Sequence, residues 1–338
     1  MTQGFTPQWP TQPGWAGPAP ARGPGPSWGA PTGPAPSPPP RRRSLGPVIL
    51  AALIVVGVIM LGLIVYSLTS QSQPPFQNDD YVPPAPGTGS PLPRLAGTDP
   101  EAILTSNSLY AQTVPRPVRC EPSNPDLDID AASDAEVTTY IDEIIACNMR
   151  VWNPPFEGTG EYELVRPVVN VYGDSVTTPC GGGRAMGPNA SYCGANQEVY
   201  WSRVITRHLP ALSAPHAVDM VMSHEFGHAI QARTVILQAT GYSQQSLSRS
   251  EALELHRRLE LQADCFAGLW VQSVAESMSY SSNDITNLIA AMAQVGDRPG
   301  TEGDHGQSQS RTYWIQVGMS GDDVGRCNTY IAESDLVR

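Results

Sequence analysis

Residues 216–235 read HAVDMVMSHEFGHAIQARTV, and this stretch decides how the rest of the chain is interpreted. Its apolar residues recur at helical spacing, which predicts a helix over Ala214–Thr234. His224 and His228 are four residues apart in it and therefore lie one turn apart on one face. Two imidazoles on one helical face can reach the same Zn²⁺ ion. The other face carries apolar residues that anchor the helix in a core: Val218, Val221, Met222 and Ile230.

Glu225 follows the first histidine directly and can reach the open coordination position of an ion bound by the pair. Zinc lowers the pKa of a bound water to roughly 7, so a neighbouring carboxylate can accept the water's proton. The H-E-x-x-H pattern also arises by chance, and it then marks only a helix with two solvated histidines. Apolar flanks, a predicted extracytoplasmic location with six cysteines, and a candidate third ligand favour the metal site, with Glu225 as the general base.

The third ligand is expected in residues 253–270, LELHRRLELQADCFAGLW. Glu260 and Asp264 are four residues apart and share a helical face. One of them can bind the metal while the other accepts the N–H of a histidine ligand. The spacing favours Glu260 as the ligand, and Asp264, Glu254 and His256 remain alternatives.

These two blocks together, HEFGHAIQ and ELQADCFAGLW, resemble the neutral zinc metallopeptidase family of bacteria. The family's site is similar to that of the thermolysin-like gluzincin enzymes, and the resemblance covers roughly residues 115–330. It implies a zincin-like metallopeptidase domain with Zn²⁺ as cofactor and a peptide or protein as substrate. It further implies His224, His228 and Glu260 as zinc ligands, with Asp264 orienting His224.

The family resemblance extends to a His-Gly element after the third helix, which reads Asp304-His305-Gly306 in this chain. A threonine usually precedes that histidine in the family, so Asp304 is a departure. A histidine beside the zinc water can stabilise an oxyanion, which makes His305 a candidate catalytic residue. The alternative is a surface loop histidine. In thermolysin-like enzymes an edge strand also pairs with the substrate backbone, and Glu198–Ser202 is the candidate for it.

The N-terminal part of the chain differs in composition from the rest. Residues 1–46 are rich in Pro and Gly and contain no acidic residue, which predicts a disordered cytoplasmic tail. An uncharged apolar stretch follows Arg41–Arg43 and predicts a transmembrane helix over residues 47–67, with its N-terminal end in the cytoplasm. A cleaved signal peptide and a twin-arginine export signal are the alternatives. Residues 68–115 are rich in Pro and Ser and predict an extended stalk before a folded domain at 116–331.

Charge and cysteine content describe the predicted external part. All 32 acidic residues and 16 of the 20 Arg follow position 78, so this part carries a formal charge of −16. Such a charge argues against nucleic acid and anionic lipid as its partners. The six cysteines also lie there and predict three disulfides, paired locally as 120–147, 180–193 and 265–327. A zinc site made of cysteines is disfavoured because no C-x₂-C pair occurs.

The periodicities predict a small sheet followed by helices, and therefore an α+β fold. The predicted elements, besides the helix above, are a helix over Asp134–Arg150, strands over Val165–Tyr172 and Glu198–Ser202, and helices over Ser248–Ser277, Asp284–Val295 and Gln309–Met319.

Two functions of different class are consistent with these patterns. The first is a membrane-anchored zinc metallopeptidase that acts outside the cytoplasm. The second is a catalytically silent binding domain in which zinc has only a structural role. Structural zinc sites have four protein ligands, whereas three are predicted here beside an intact Glu225, which favours the peptidase. A role of the Pro-rich tail in recruiting cytoplasmic partners is a further possibility.

Overall fold

The computed structural model describes residues 46–69, 76–95, 97–298, 300 and 303–338, in two compact units that divide after Gln71. The first unit contains the apolar 24-residue helix α1 (Gly46–Thr69), whose side chains are described at residues 49–62 and are exposed there. Among the residues with described side chains, no helix is long and apolar enough to cross a membrane. The predicted disordered tail covers residues 1–46, and its residues 1–45 lie outside the described part of the chain.

The second unit, Ser72–Arg338, contains small sheets and many helices, and it confirms the α+β class. Its helices are α2 (Pro100–Ser106), α3 (Asp134–Thr159), α4 (Ile205–His208), α5 (Ala217–Arg233), α6 (Ile236–Gln244), α7 (Arg249–Val274), α8 (Ser282–Gln294) and α9 (Ser308–Met319). Its strands are β1 (Val168–Tyr172), β2 (Val176–Thr177), β3 (Ala185–Met186), β4 (Ala190–Cys193) and β5 (Glu198–Ser202).

Capping residues set where two long helices begin. Ser133 and Ser248 each accept a hydrogen bond from the backbone N–H three residues on, and the glutamate there bonds back to the serine. These capping boxes satisfy N–H groups that the helices leave free. The predicted end of α3 at Arg150 was wrong, because the helix continues through Pro154 and Pro155 to Thr159. Burial of Pro155 and Phe156 in the core offsets the hydrogen bonds that the prolines remove.

The main sheet has the order β1-β5-β4, with β5 parallel to β1 and antiparallel to β4. The strand predicted over Glu198–Ser202 is confirmed at those bounds as β5. Its assignment as the substrate-pairing edge was wrong, because both of its sides are paired. Val199, Tyr200 and Trp201 are buried in succession, as expected for a central strand. The edge beside α5 is β4, which the sequence analysis did not predict.

The segment predicted to be a stalk contributes to the folded unit. Asn78 donates to the carbonyl of Arg150, and Arg166 donates to the carbonyl of Pro84. Arg233, which is 2 % exposed, donates to the carbonyls of Ser90 and Pro91. An extended Pro-rich segment leaves its own carbonyls free, so arginines of the domain can bind them. The folded unit therefore includes described residues well before the predicted boundary at 116.

The cysteines pair as the local pairing predicts. Cys120–Cys147, Cys180–Cys193 and Cys265–Cys327 have Cα separations of 5.4, 5.7 and 5.5 Å, and no free cysteine occurs among the described residues. The first bridge links α3 to the segment before it, and the second links the two ends of a Gly-rich loop that leads into β4. The third joins α7 to the segment after α9. Each bridge therefore holds a different part of the fold.

Helices α5 and α7 cross at Gly227 without room for a side chain. A Cβ at this position would lie 3.0 Å from the Cα of Ala263, which is tighter than real Cβ contacts normally are. The crossing lies between the two histidines of α5 in sequence and between Glu260 and Asp264 on α7. The close approach therefore brings the histidine face against the carboxylates.

Gly227→Ala is expected to destabilise the protein by about 1–3 kcal/mol, because the added methyl meets the backbone of Ala263, which cannot move aside alone. Urea unfolding monitored by circular dichroism measures this change. The matched control is Gly241→Ala in α6, where a Cβ meets nothing within 4 Å. That helical substitution should leave stability unchanged or raise it by up to about 1 kcal/mol. Equal stabilities for the two variants would contradict the close-packing interpretation.

Candidate metal and catalytic site

Three buried side chains converge where α5 faces α7. His224 and His228 project from α5 and Glu260 projects from α7. The Nε2 atom of His224 lies 3.3 Å from Oε2 of Glu260, and the Nε2 atom of His228 lies 3.5 Å from Oε1. The two imidazole rings meet edge to face with centroids 4.8 Å apart. The three ligand-type atoms all lie within 4.8 Å of one another.

These distances fit a zinc ion. Two ligands bound to tetrahedral zinc at about 2.0–2.2 Å lie roughly 3.3–3.5 Å apart. The Nδ1 atoms of both histidines bind other side chains, so their Nε2 atoms face the common point. Two histidines and one carboxylate are also a frequent ligand set of catalytic zinc. The residues therefore fit the metal by spacing, by orientation and by chemistry.

The other candidates for the third metal ligand lie outside this group of three side chains. Asp264 stands behind His224, and Glu254 pairs with Arg258 at 2.8 Å. His256 approaches Glu260 at 3.5 Å but does not belong to the group of mutually close ligand atoms. Among the sequence candidates, the structure thus groups Glu260 with the two histidines.

A buried carboxylate orients the first histidine. Nδ1 of His224 lies 2.9 Å from Oδ1 of Asp264, and the guanidinium of Arg311 donates to the same oxygen at 2.8 Å. Asp264 is fully buried and Arg311 is 2 % exposed. A carboxylate that accepts Nδ1–H fixes the tautomer and directs Nε2 towards a metal. The sequence analysis did not identify Arg311 as part of this cluster, although an arginine beside the apolar Trp314 and Ile315 was a usable signal.

A neutral partner orients the second histidine. Nδ1 of His228 lies 2.8 Å from Oε1 of Gln231, whose amide nitrogen donates to the carbonyl of Leu259 and to Oε1 of Gln262. Gln262 in turn donates to the hydroxyl of Tyr110 and to the carbonyl of Cys327. Both glutamines are fully buried. The sequence analysis missed Gln231, and its only signal was a polar residue on the buried face three positions after His228.

The charges of this cluster shift its proton affinities. Burial lowers the pKa of His224, but hydrogen bonds and charge from Asp264 and Glu260 outweigh it and raise that pKa to about 10. Burial lowers the pKa of His228 as well, and Glu260 reverses the shift. Burial raises the pKa of Glu260, whereas the two histidines hold it well below its ordinary value. In the absence of metal, protons on the imidazoles therefore balance the buried carboxylates.

Glu225 and His305 face the same cavity as these ligands. The cavity has a volume of about 390 Å³ and is also lined by Arg311. His305 is about half exposed, and its Nδ1 lies 2.6 Å from Oδ1 of Asp304. The Asp297 carboxylate accepts the backbone N–H of His305 and of Gly306, which fixes the loop. Glu225 and His305 therefore share one cavity with the three ligand-type side chains.

The remaining walls of the cavity suit an extended chain. Residues 189–192, which include the start of β4, form one wall. An apolar wall lies beside α8, and its residues are Ile205, Leu209, Leu212, Met292 and Val295. The cavity therefore combines a strand edge and an apolar surface with the polar cluster.

Comparisons with known proteins agree with this geometry. A family model described as "Putative neutral zinc metallopeptidase" matches residues 93–330. Uncharacterized protein YpfJ of Escherichia coli strain K12 is 29 % identical over 212 residues, which cover 59 % of this chain and 73 % of that protein. Uncharacterized protein Rv2575 of Mycobacterium tuberculosis is 30 % identical over 207 residues, which cover 54 % and 67 %. No solved structure is significantly similar to the chain.

Zinc binding is expected to release protons and to strengthen as pH rises. Because the pKa of metal-free His224 is about 10, its imidazole holds at neutral pH a proton that zinc must displace. The apparent affinity should therefore rise by about tenfold per pH unit, from about pH 7 to about pH 9, for each proton released. Competition with a chelator measures the affinity, and calorimetry in buffers of different ionisation enthalpy counts the protons.

The control for this experiment is Asp264→Asn, which removes one of the charges that raise the pKa of His224. Its affinity should be lower at all pH values, and its pH dependence should be flatter over the same range. An affinity that does not change with pH in the parent protein would contradict the proposed proton displacement.

Proposed function

Since the chain belongs to the neutral zinc metallopeptidase family, we propose that it hydrolyses peptide bonds in peptide or protein substrates. The observation that carries the proposal is the buried His224–His228–Glu260 group, at zinc spacing, beside Glu225 in a substrate-sized cavity. We assign the three side chains as zinc ligands and Asp264 as the group that orients His224. The domain is then a zincin-like peptidase with thermolysin-type ligands.

Bound zinc would lower the pKa of water and polarise the scissile carbonyl. Glu225 adjoins a ligand histidine and is 7 % exposed, so its carboxylate is shielded at the cavity wall. It takes the proton of the attacking water and delivers it to the leaving amine. Asp264 and Gln231 hold both imidazoles in the tautomer that presents Nε2.

His305 is proposed to stabilise the negative charge that develops on the substrate oxygen. Its Nδ1 is bound by the Asp304 carboxylate, so Nε2 remains available to the cavity. The Asp304 carboxylate, bound to Nδ1, holds the orientation of the imidazole ring at the cavity. Asp304, which departs from the usual family residue, would contribute in this way.

The substrate backbone is proposed to pair with β4. One side of β4 is bonded to β5, and its other side has no strand partner among the described residues. Residues 190–192 of the strand and Asn189 before it line the cavity. An extended peptide can add to such an edge through main-chain hydrogen bonds.

The alternative is a catalytically silent domain with a structural zinc. Structural zinc sites are closed by four protein ligands. Within the described part of the chain, the group around His224 contains three candidate ligands. A carboxylate also stands next to the site, as hydrolysis requires. These features favour the peptidase.

The proposed location is outside the cytoplasm. Three disulfides are typical of proteins in an oxidising space. Residues 47–67 are proposed to anchor the protein in the membrane as a single transmembrane helix, because Arg41–Arg43 directly precede an uncharged apolar stretch. The acidic folded unit would then face the exterior, with no nucleic acid as partner.

A substitution series separates the proposed ligands from the base. Replacing His224, His228 or Glu260 with Ala should abolish zinc binding together with hydrolysis of a quenched fluorescent peptide library. Glu225→Gln retains all three ligands, so it should keep zinc while hydrolysis falls at least about 10²-fold. Asp264→Ala should weaken metal affinity by about 10–100-fold, because His224 loses its partner.

Metal content by atomic emission and cleavage rate are measured on the same preparations. The peptidase mechanism has to be abandoned if Glu225→Gln cleaves as fast as the parent. The ligand assignment fails if Glu260→Ala retains full zinc. Arg184→Ala, on the loop before β3 and away from the cavity, is the control that should change neither quantity.

The proposed topology predicts opposite protease sensitivity at the two ends. On intact cells, a C-terminal tag should be removed by added protease and an N-terminal tag should be protected. Immunoblotting of both tags measures this, and lysed cells serve as the control in which both are cleaved. Release of a mature protein starting beyond residue 70 into the medium would show that the apolar segment is a cleaved signal.

A further inference from the structure

His256 makes a polar contact with the proposed metal site that the ligand assignment leaves unexplained. It lies four residues before Glu260 on α7, so the two side chains share a helical face. Its Nε2 lies 3.5 Å from Oε1 of Glu260. The His256 side chain is 35 % exposed and lines the catalytic cavity, whereas the Glu260 side chain is 7 % exposed.

The two oxygens of Glu260 have different surroundings. Oε2 faces Nε2 of His224 at 3.3 Å, and Oε1 faces both His228 and His256 at 3.5 Å. Among the described residues, the Glu260 carboxylate forms ion pairs with these three histidines alone. A metal that both ligand histidines bind through Nε2 leaves them no proton for Glu260, because their remaining protons lie on Nδ1.

An oxygen of Glu260 that does not bind the metal is therefore buried and needs another donor. A buried carboxylate oxygen without a hydrogen bond is costly. The alternative is that both oxygens bind the ion, which would occupy the coordination position that water needs. His256 is the remaining polar neighbour at ion-pair distance among the described residues, and it lies on the side of Oε1.

We propose that His256 is a positioning residue that donates Nε2–H to Oε1 of Glu260 and so limits Glu260 to one metal bond through Oε2. This inference rests on the proposed zinc site and adds a role to it. His256 acts through Glu260, since it lies outside the group of mutually close ligand atoms. Its role is to keep a coordination position open for water.

Substitution of His256 in the full-length protein tests this role with two readouts that do not depend on activity. His256→Ala removes the donor, so zinc affinity measured by chelator competition should fall by about 10–100-fold. In the Co²⁺-substituted protein, visible absorption should weaken because Glu260 adds a second bond and the geometry departs from tetrahedral. His256→Gln can donate to a carboxylate one turn on, so it should restore both quantities towards those of the parent.

The matched control is His208→Ala, which removes an exposed histidine that does not line the cavity. It should leave affinity and spectrum unchanged. Far-ultraviolet circular dichroism of all variants tests whether they are folded. His256→Gln keeps the test valid if the alanine variant folds poorly, since the glutamine variant should then match the parent in affinity and spectrum.

Three outcomes would overturn the inference. Unchanged affinity and an unchanged cobalt spectrum in His256→Ala would show that His256 does not support Glu260. Complete loss of metal in both variants would make His256 a ligand instead. A parent that binds no zinc would overturn both this inference and the proposed function. The first outcome, in a parent that binds zinc and cleaves peptides, would overturn this inference alone.

Discussion

The site depends on the close crossing of α5 and α7. A glycine on one helix and an alanine on the other, Gly227 and Ala263, allow the two backbones to approach until no further side chain fits between them. At that distance His224 and His228 meet Glu260 at 3.3–3.5 Å, which is the separation of ligands on one zinc ion. A larger residue at the crossing would separate the histidines from the carboxylate, and neither helix holds a complete ligand set alone.

The groups behind the ligands explain how buried charges are held in place. His224 rests on a charged partner, Asp264, which Arg311 neutralises in part, whereas His228 rests on the neutral amide of Gln231. Both supports lead to one disulfide. Asp264 directly precedes Cys265, and the amide chain from Gln231 ends through Gln262 on the carbonyl of Cys327. The Cys265–Cys327 disulfide is therefore connected to the groups that orient both histidines. Rotation of Asp264 or Gln231 would turn the Nε2 atom of its histidine away from the metal position.

Elements distant in sequence form the cavity that borders the ligands and the groups that orient them. β4 contributes a strand edge, α8 contributes to an apolar wall, and the loop before α9 places His305 at the cavity. Arg311 connects two of these parts, because it lies near the start of α9 and bonds to Asp264 on α7. The loop of His305 and the orientation of His224 therefore depend on the same helix. His256 adds a contact on the remaining side, towards Oε1 of Glu260.

The sequence by itself determined what depends on local spacing. Histidines four residues apart, a glutamate beside the first, and the pair Glu260 and Asp264 on a second helix all follow from the helical repeat, and the fold class and disulfide pairing followed from similarly local signals. Tertiary structure alone decided what depends on long-range contact. Arg311 and Asp264 bond to each other although they are 47 residues apart in sequence, and Gln231 and Gln262 bond although they are 31 apart. No periodicity of the sequence indicates either contact. The break between α5 and α6 occurs at Val235, a β-branched residue with a left-handed φ of 67° that local preference disfavours. Likewise, a Pro-rich segment packs on the domain because arginines of the domain bind its carbonyls, and composition cannot show where such partners will lie.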